Sequence, residues 1–218
     1  MKENKLLRGL CVLTAALMLG LTGCANGSDT NGSDTQSQAA TAEVQSAWTE
    51  LAQTTITKEM GMGWNLGNQL EASNAGIPSE TTWGNPTISE DLIKAVKEQG
   101  FKTVRIPVSY LDKIGAAPDY TIDSAWLDRV QEVVDYVVGN DLYAIINIHG
   151  DGYYTVDKSW LRCVDDNQDE IKDKYEKVWA QIADRFKDYD QHLIFESMNE
   201  EFDNTYGKPN ATGYENIN

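Results

Sequence analysis

The sequence predicts an α/β fold, a (β/α)8 TIM barrel, of which this chain holds about the first four βα units. Three observations carry that prediction. Short apolar runs recur about every 40 residues, at 60–67 (MGMGWNLG), 101–110 (FKTVRIPVSY), 142–150 (LYAIINIHG) and 192–200 (HLIFESMNE), with helical periodicity between them. Such alternation makes βαβ units and a parallel sheet. Polar residues then stand at the C-terminal end of each run: Asn65 and Asn68, Arg105, His149, and Asn199 with Glu200. Barrel active sites are built at that end. The alternative, a doubly wound nucleotide-binding sheet, wants a G-x-G-x-x-G turn opening its first helix, and GWNLGNQLEA has none.

The N-terminus reads as processed before folding. Lys2, Lys5 and Arg8 precede the apolar run CVLTAALMLGL, which is too short to span a bilayer and matches a secretory signal. It ends in LTGC, Leu21 to Cys24, which resembles the lipobox of bacterial lipoproteins. The resemblance implies cleavage after residue 23 and a lipid on Cys24; the plainer alternative is an ordinary signal peptide cut nearby. Of the three cysteines, Cys11 would leave with the signal and Cys24 would carry lipid, so Cys163 has no partner for an intramolecular disulfide. Residues 24–45 contain a tandem duplication, Asn26–Thr30 and Asn31–Thr35, in a Gly/Ser/Asn/Thr composition that buries nothing and reads as a flexible linker. The folded part is 46–218. Its partners are bounded by charge: a formal −16 repels phosphates and excludes nucleic acid, and the only membrane contact expected is the lipid at Cys24.

Three helices connect the strands. In 88–100, Ser89 is the N-cap and Gly100 the C′ residue. In 123–141, Trp126, Leu127, Val130, Val133, Val134 and Val137 share one face. In 169–186, Ile171, Tyr175, Val178, Trp179, Ile182 and Phe186 do the same. A further helix is predicted to begin at Thr212.

Arg105 alternates with Val104 and Ile106 and so faces away from them; a cation fixed in a strand needs an anion. It serves either a structural ion pair or the orientation of a catalytic carboxylate. His149 has no second histidine two residues on, because Asp151 stands there, so no metal site and no cofactor are expected. Alternation places Ile194, Glu196, Met198 and Glu200 on one side of the last strand. A carboxyl at a partly desolvated strand end has a raised pKa, as a general acid requires. Asn199 is suited to bonding a substrate hydroxyl. The other acids, Glu201 and Glu170 among them, read as solvated charges.

Taken together, GWNLGNQLEA, WGNP, GFKTVRIPVSY, LYAIINIH and HLIFESMNE closely resemble glycoside hydrolase family 5, the cellulase-type barrels of clan A, over most of 58–203. The resemblance implies a retaining hydrolase of β-1,4-glucan, of endoglucanase type, acting by double displacement. It implies that Glu200 is the general acid/base, that Asn199 precedes it as in the family, that Arg105 holds the nucleophile and that His149 lines the site. Asn68 and Trp83 fall in substrate-lining loops, and Trp64, Trp83, Tyr153, Tyr154 and Trp160 are aromatics that could stack on sugars. Two positions depart from the common pattern: Gly150 follows His149, and Glu201 replaces a proline. Both bear on substrate preference.

A retaining pair needs two carboxyls about 5–5.5 Å apart. The family's nucleophile ends the seventh strand, and a whole barrel takes about 250 residues, more than 46–218 provides. Glu196 lies four residues deeper than Glu200 on the same strand, too far for such a pair. The expectation is therefore a truncated chain, inactive alone, whose nucleophile lies beyond Asn218 and whose complete form is an extracellular, membrane-anchored, monomeric lipoprotein acting on β-glucan. A non-catalytic glycan-binding lipoprotein is the rival of another class. Mannanase, xyloglucanase and lichenase compete within the enzyme class.

Overall fold

Runs such as VRI and AII are rich in β-branched residues and flanked by amphipathic helices, and they form strands that helices cover on one face. The computed structural model describes residues 52–162 and 167–200, which lie in the compact unit Gln45–Asn218. The signal, the linker, Cys24, Cys163 and the helix predicted at Thr212 fall outside the described residues.

The elements in order are α1 Gln53–Met60, β1 Gly63–Asn65, β2 Ser73–Asn74, β3 Ile77–Pro78, α2 Glu90–Glu98, β4 Thr103–Ile106, α3 Ser124–Val138, β5 Tyr143–Asn147, α4 Gln168–Arg185 and β6 Leu193–Glu196, with a 3-10 turn at Leu111–Lys113. Four strands form a parallel sheet in the order β1-β4-β5-β6. Spatial order follows chain order, with a helix crossing between β1 and β4, β4 and β5, and β5 and β6. This is the succession of a (β/α)8 barrel.

Each helix forms for a local reason. Ser89 caps α2, its Oγ accepting from Leu92 N at 3.3 Å. Glu90 and Asp91 then face the positive end of the helix. Gly100 follows with φ +91°, the left-handed stop. Asp123 caps α3, accepting from Trp126 N at 2.9 Å. All six residues of the predicted α3 face are buried. In α4, Ile171, Val178 and Ile182 are buried, with Tyr175 and Trp179 packed half-buried beside them.

Register then sorts the sheet. Trp64, Val104, Ala144 and Leu193 are aligned across it, and so are Asn65, Arg105, Ile145 and Ile194. Val104, Ile106, Ala144, Ile146 and Ile148 enter the core under the helices. Their neighbours Asn65, Arg105, Asn147 and Glu196 face the opposite side, where polar groups meet. Phe195 packs against the rings of Trp179 and Phe186 but stays 44% exposed.

One expectation needs correction, and two elements were not foreseen. The strands are shorter than predicted, because beyond Asn65, Ile106, Asn147 and Glu196 the ladder continues only as single bonds: Leu66 N to Arg105 O, His149 N to Val108 O, and Asn199 N to Ile148 O, each 2.8 Å. The polar helix α1 was not predicted; it buries no residue and so has no apolar period to read. The loop after β1 contains the hairpin β2–β3. Its two-residue turn, Ala75-Gly76, has both residues at positive φ, the turn that suits strand twist. Alanine in the first turn position hid it. Gly76 is required, since a Cβ there would lie 2.5 Å from the Asp157 carbonyl oxygen.

Candidate active site

The polar face of the sheet is organised around Arg105. Its Nε donates to Glu196 Oε2 at 2.7 Å and its Nη2 to Glu196 Oε1 at 2.6 Å, a two-pronged ion pair between β4 and β6. Nη2 also donates to Asn199 Oδ1 at 2.9 Å, and Nη1 to Asn65 Oδ1 at 3.2 Å. Asn147, buried on β5, gives one amide hydrogen to Glu196 Oε1 at 3.1 Å and the other to His149 Nδ1 at 3.3 Å. The strand ends thus converge on one connected network.

Its electrostatics follow from these contacts. Burial alone would raise the Glu196 carboxyl, but the guanidinium of Arg105 and the amide of Asn147 outweigh it, and the pKa lies below the usual range. The raised pKa expected of a strand-end carboxyl is therefore wrong for Glu196: it is a fixed anion. Bonding to Glu196 pushes the Arg105 pKa up against the opposing effect of burial. His149 is lowered to about 4, first by burial and then by repulsion from Arg105. It is neutral at ordinary pH. With Nδ1 accepting from Asn147, its proton sits on Nε2, free to donate into the cleft.

Asn199 corrects the alternation argument. β6 ends at Glu196, so parity no longer governs 197–200. Asn199 turns its side chain to the same side as Glu196, with Oδ1 on Arg105 and Nδ2 donating to the Tyr153 hydroxyl at 2.6 Å. Met198 packs against the core instead. Glu200 is exposed rather than half-desolvated. Its Oε2 accepts from the Tyr153 hydroxyl at 3.3 Å.

Beside this network lies a cavity of about 130 Å³, lined by Asn68, Glu71, Trp83, His149, Tyr153 and Val156 among others. Four predicted site residues, Asn68, Trp83, His149 and Tyr153, therefore share one cavity. Trp83 is 53% exposed, and its indole is steadied by Nε1 donating to Ser73 O at 2.9 Å. Asn68 holds a left-handed backbone, φ +65°. Glu71 stabilises that turn by accepting from the backbone N–H groups of Asn68 and Gln69. The other aromatics have contacts of their own. Trp64 packs on the core. Tyr154 lies under the Arg162 guanidinium, and Trp160 lies under Lys174.

Glu71 and Asp151 escaped the sequence reading. Asp151 is fully buried. It accepts from Tyr110 N at 3.0 Å, Ser109 Oγ at 3.1 Å and Trp160 Nε1 at 2.7 Å, and so ties the chain after β4 to the loop after β5. Two glycines flank it in the sequence, and the partners that bury it lie up to 42 residues away.

Burial lifts the Asp151 pKa from 3.8 to about 6 against the pull of these donors. An acid raised on folding binds extra protons in the native state, so its contribution to stability is greatest below about pH 4 and is lost as the pH rises through 6. Asp151→Asn can accept from Tyr110 and Trp160 and donate to Ser109, without titrating. Its stability relative to the parent should therefore rise by about 2 kcal/mol between pH 4 and 7. Urea unfolding at the two pH values measures this; parallel stability curves would contradict it.

Comparison with known proteins agrees with this geometry. The model of the family Cellulase (glycosyl hydrolase family 5) matches residues 68–218. Endoglucanase A of Paenibacillus barcinonensis is 55% identical over 181 residues, covering 83% of this chain and 44% of the relative. Cellulase/esterase CelE of Acetivibrio thermocellus is 48% identical over 157 residues, covering 72% and 18%. Among solved structures, a family 5 xyloglucanase from Paenibacillus pabuli superposes with a TM-score of 0.72 at 61% identity, covering 74% of this chain and 45% of that one. A GH5-4 broad specificity endoglucanase from Ruminococcus champanellensis with bound cellotriose gives 0.70 at 42%, covering 78% and 51%. The chain spans at most about half the length of these relatives. With the strand order, the Arg105 network and the family match over 68–218, this chain belongs to glycosyl hydrolase family 5, the cellulase family.

Proposed function

We propose that the chain supplies the acid/base half of a retaining β-1,4-glucan hydrolase. The observation that carries this is Glu200 standing at the end of a hydrogen-bonded network anchored by Arg105 and Glu196, next to a cavity that Trp83 borders. In the first step Glu200 gives its proton to the glycosidic oxygen while a second carboxylate bonds to the anomeric carbon. In the second step Glu200 takes a proton from water as that water displaces the carboxylate. The second carboxylate belongs to the other half of the barrel, outside these residues. Arg105 holds charge at the floor of the site, and neutral His149 donates toward the sugar.

The substrate reading is a β-1,4-glucan backbone. Xyloglucan is a second reading, favoured by the 61% identity to a protein described as a xyloglucanase. The test is reducing-end release by the full-length protein from carboxymethylcellulose, mixed-linkage β-glucan, xyloglucan and mannan. Cleavage of at least one glucan is expected, with no hydrolysis by residues 46–218 alone. Hydrolysis of mannan only would overturn the glucan reading. Glucan binding without any hydrolysis would establish the non-catalytic alternative.

The positive N-terminus, the apolar run and LTGC support a second proposal, export with a lipid anchor at Cys24. Cys24→Ala should then move the protein from the membrane fraction to the soluble fraction. An unchanged distribution would contradict it.

A further inference from the structure

We infer that Tyr153 is a positioning residue for the acid/base carboxylate, fixing which oxygen of Glu200 carries the transferable proton. The inference rests on the proposed role of Glu200 and adds a role that the sequence reading, which made Tyr153 a sugar contact, did not contain.

Three hydrogen bonds at Tyr153 and behind it run in one direction. Arg105 Nη2 donates to Asn199 Oδ1 at 2.9 Å, Asn199 Nδ2 donates to the Tyr153 hydroxyl oxygen at 2.6 Å, and that hydroxyl donates to Glu200 Oε2 at 3.3 Å. Each member is held from behind. Glu196 grips Arg105 by two bonds. The backbone N–H of Asn199 is held by Ile148 O at 2.8 Å. The loop carrying Tyr153 starts at Asp151, whose backbone carbonyl accepts from the N–H groups of Trp160 and Leu161, both at 2.9 Å. Bonds aligned in this way polarise one another.

The amide hydrogen of Asn199 occupies the oxygen of Tyr153, so the single phenolic proton is directed to Glu200. Oε2 is therefore kept as an acceptor, and a proton on Glu200 is steered to Oε1. In the first step that proton passes from Oε1 to the glycosidic oxygen, which also takes the electron pair of the breaking C–O bond. In the second, Oε1 receives a proton from the water whose oxygen bonds to the anomeric carbon, while the bond from that carbon to the second carboxylate breaks and its electron pair returns to the carboxylate. Tyr153 keeps its own proton in both steps. It holds the carboxylate in one orientation while Glu200 gains and loses charge.

The experiment is Tyr153→Phe in the full-length protein, alone and combined with Glu200→Gln. The single variant should lose about ten- to a hundredfold in kcat on polysaccharide, the weight of a hydrogen bond to a charged group, with KM within about twofold. An aryl glycoside with a good leaving group should lose less. The ratio of the two losses does not depend on how much protein is folded. In the Glu200→Gln background the Phe substitution should add nothing. Unchanged kcat, or a loss confined to KM, would overturn the inference and return Tyr153 to a sugar contact. A full additional loss in the Gln background would also overturn it. If Glu200→Gln itself keeps activity, the proposed function falls; if that variant is inactive and Tyr153→Phe is normal, only this inference falls.

Discussion

Glu200→Gln in the full-length protein is expected to lower hydrolysis of unactivated polysaccharide by about 10² or more, the usual weight of general acid catalysis. The amide keeps the size of the carboxylate and can still accept from Tyr153, so the contact to Oε2 survives while the transferable proton does not. An aryl glycoside whose leaving group departs without protonation should suffer less in the first step. The second step, which needs a base, should then limit the rate, and a burst of aryl alcohol should precede the steady state. The comparison is single-turnover and steady-state rates on both substrate types. Near-normal polysaccharide hydrolysis by the Gln variant would sink the assignment.

Arg105→Met is expected to cost both stability and turnover. Among the described residues the guanidinium bonds to three side chains, Glu196, Asn199 and Asn65, and removing it leaves the Glu196 anion with only the Asn147 amide among these bonds. The side chains of Arg105 and Glu196 retain 27% and 31% of their exposure, so the loss should be about 3 kcal/mol, the low end for breaking a buried pair. Asn199 would also lose the bond that sets its rotamer, and with it the link to Tyr153. Arg105→Lys should rescue little, since an ammonium cannot form the two-pronged bond. Thermal melting and kcat are measured together. Unchanged values for both would make Arg105 an ordinary surface cation.

The parts of this site that could be read from sequence are those governed by strand parity. Arg105 alternates with Val104 and Ile106, and Glu196 shares its side of the sheet, so the ion pair between them is what period-two alternation demands of a strand with one apolar face. The six-residue face of α3 was legible for the same kind of reason. Parity fails where the strand stops. Asn199 lies three residues beyond β6, and its orientation comes from one backbone bond to Ile148 and one side-chain bond to Arg105. Neither partner is near it in sequence. Asp151 is the sharper case: two glycines flank it in the sequence, yet Tyr110, Ser109 and Trp160 bury it completely. Local composition carries no signal for a burial created by three separate segments. Glu71 likewise acts on its own backbone turn, a contact that depends on the left-handed φ of Asn68.

Chemical rescue tests the central claim, that Glu200 is the acid/base of a retaining hydrolase, most directly. With Glu200→Ala in the full-length protein, an aryl β-glycoside with a good leaving group and added azide, the glycosyl-enzyme forms without acid help. Azide then enters from the side where the carboxylate stood, the face the leaving group left. Restored turnover and a glycosyl azide of β configuration, read by proton NMR, are expected. An α-glycosyl azide would make Glu200 the nucleophile, and undiminished hydrolysis without any azide product would remove it from the chemistry.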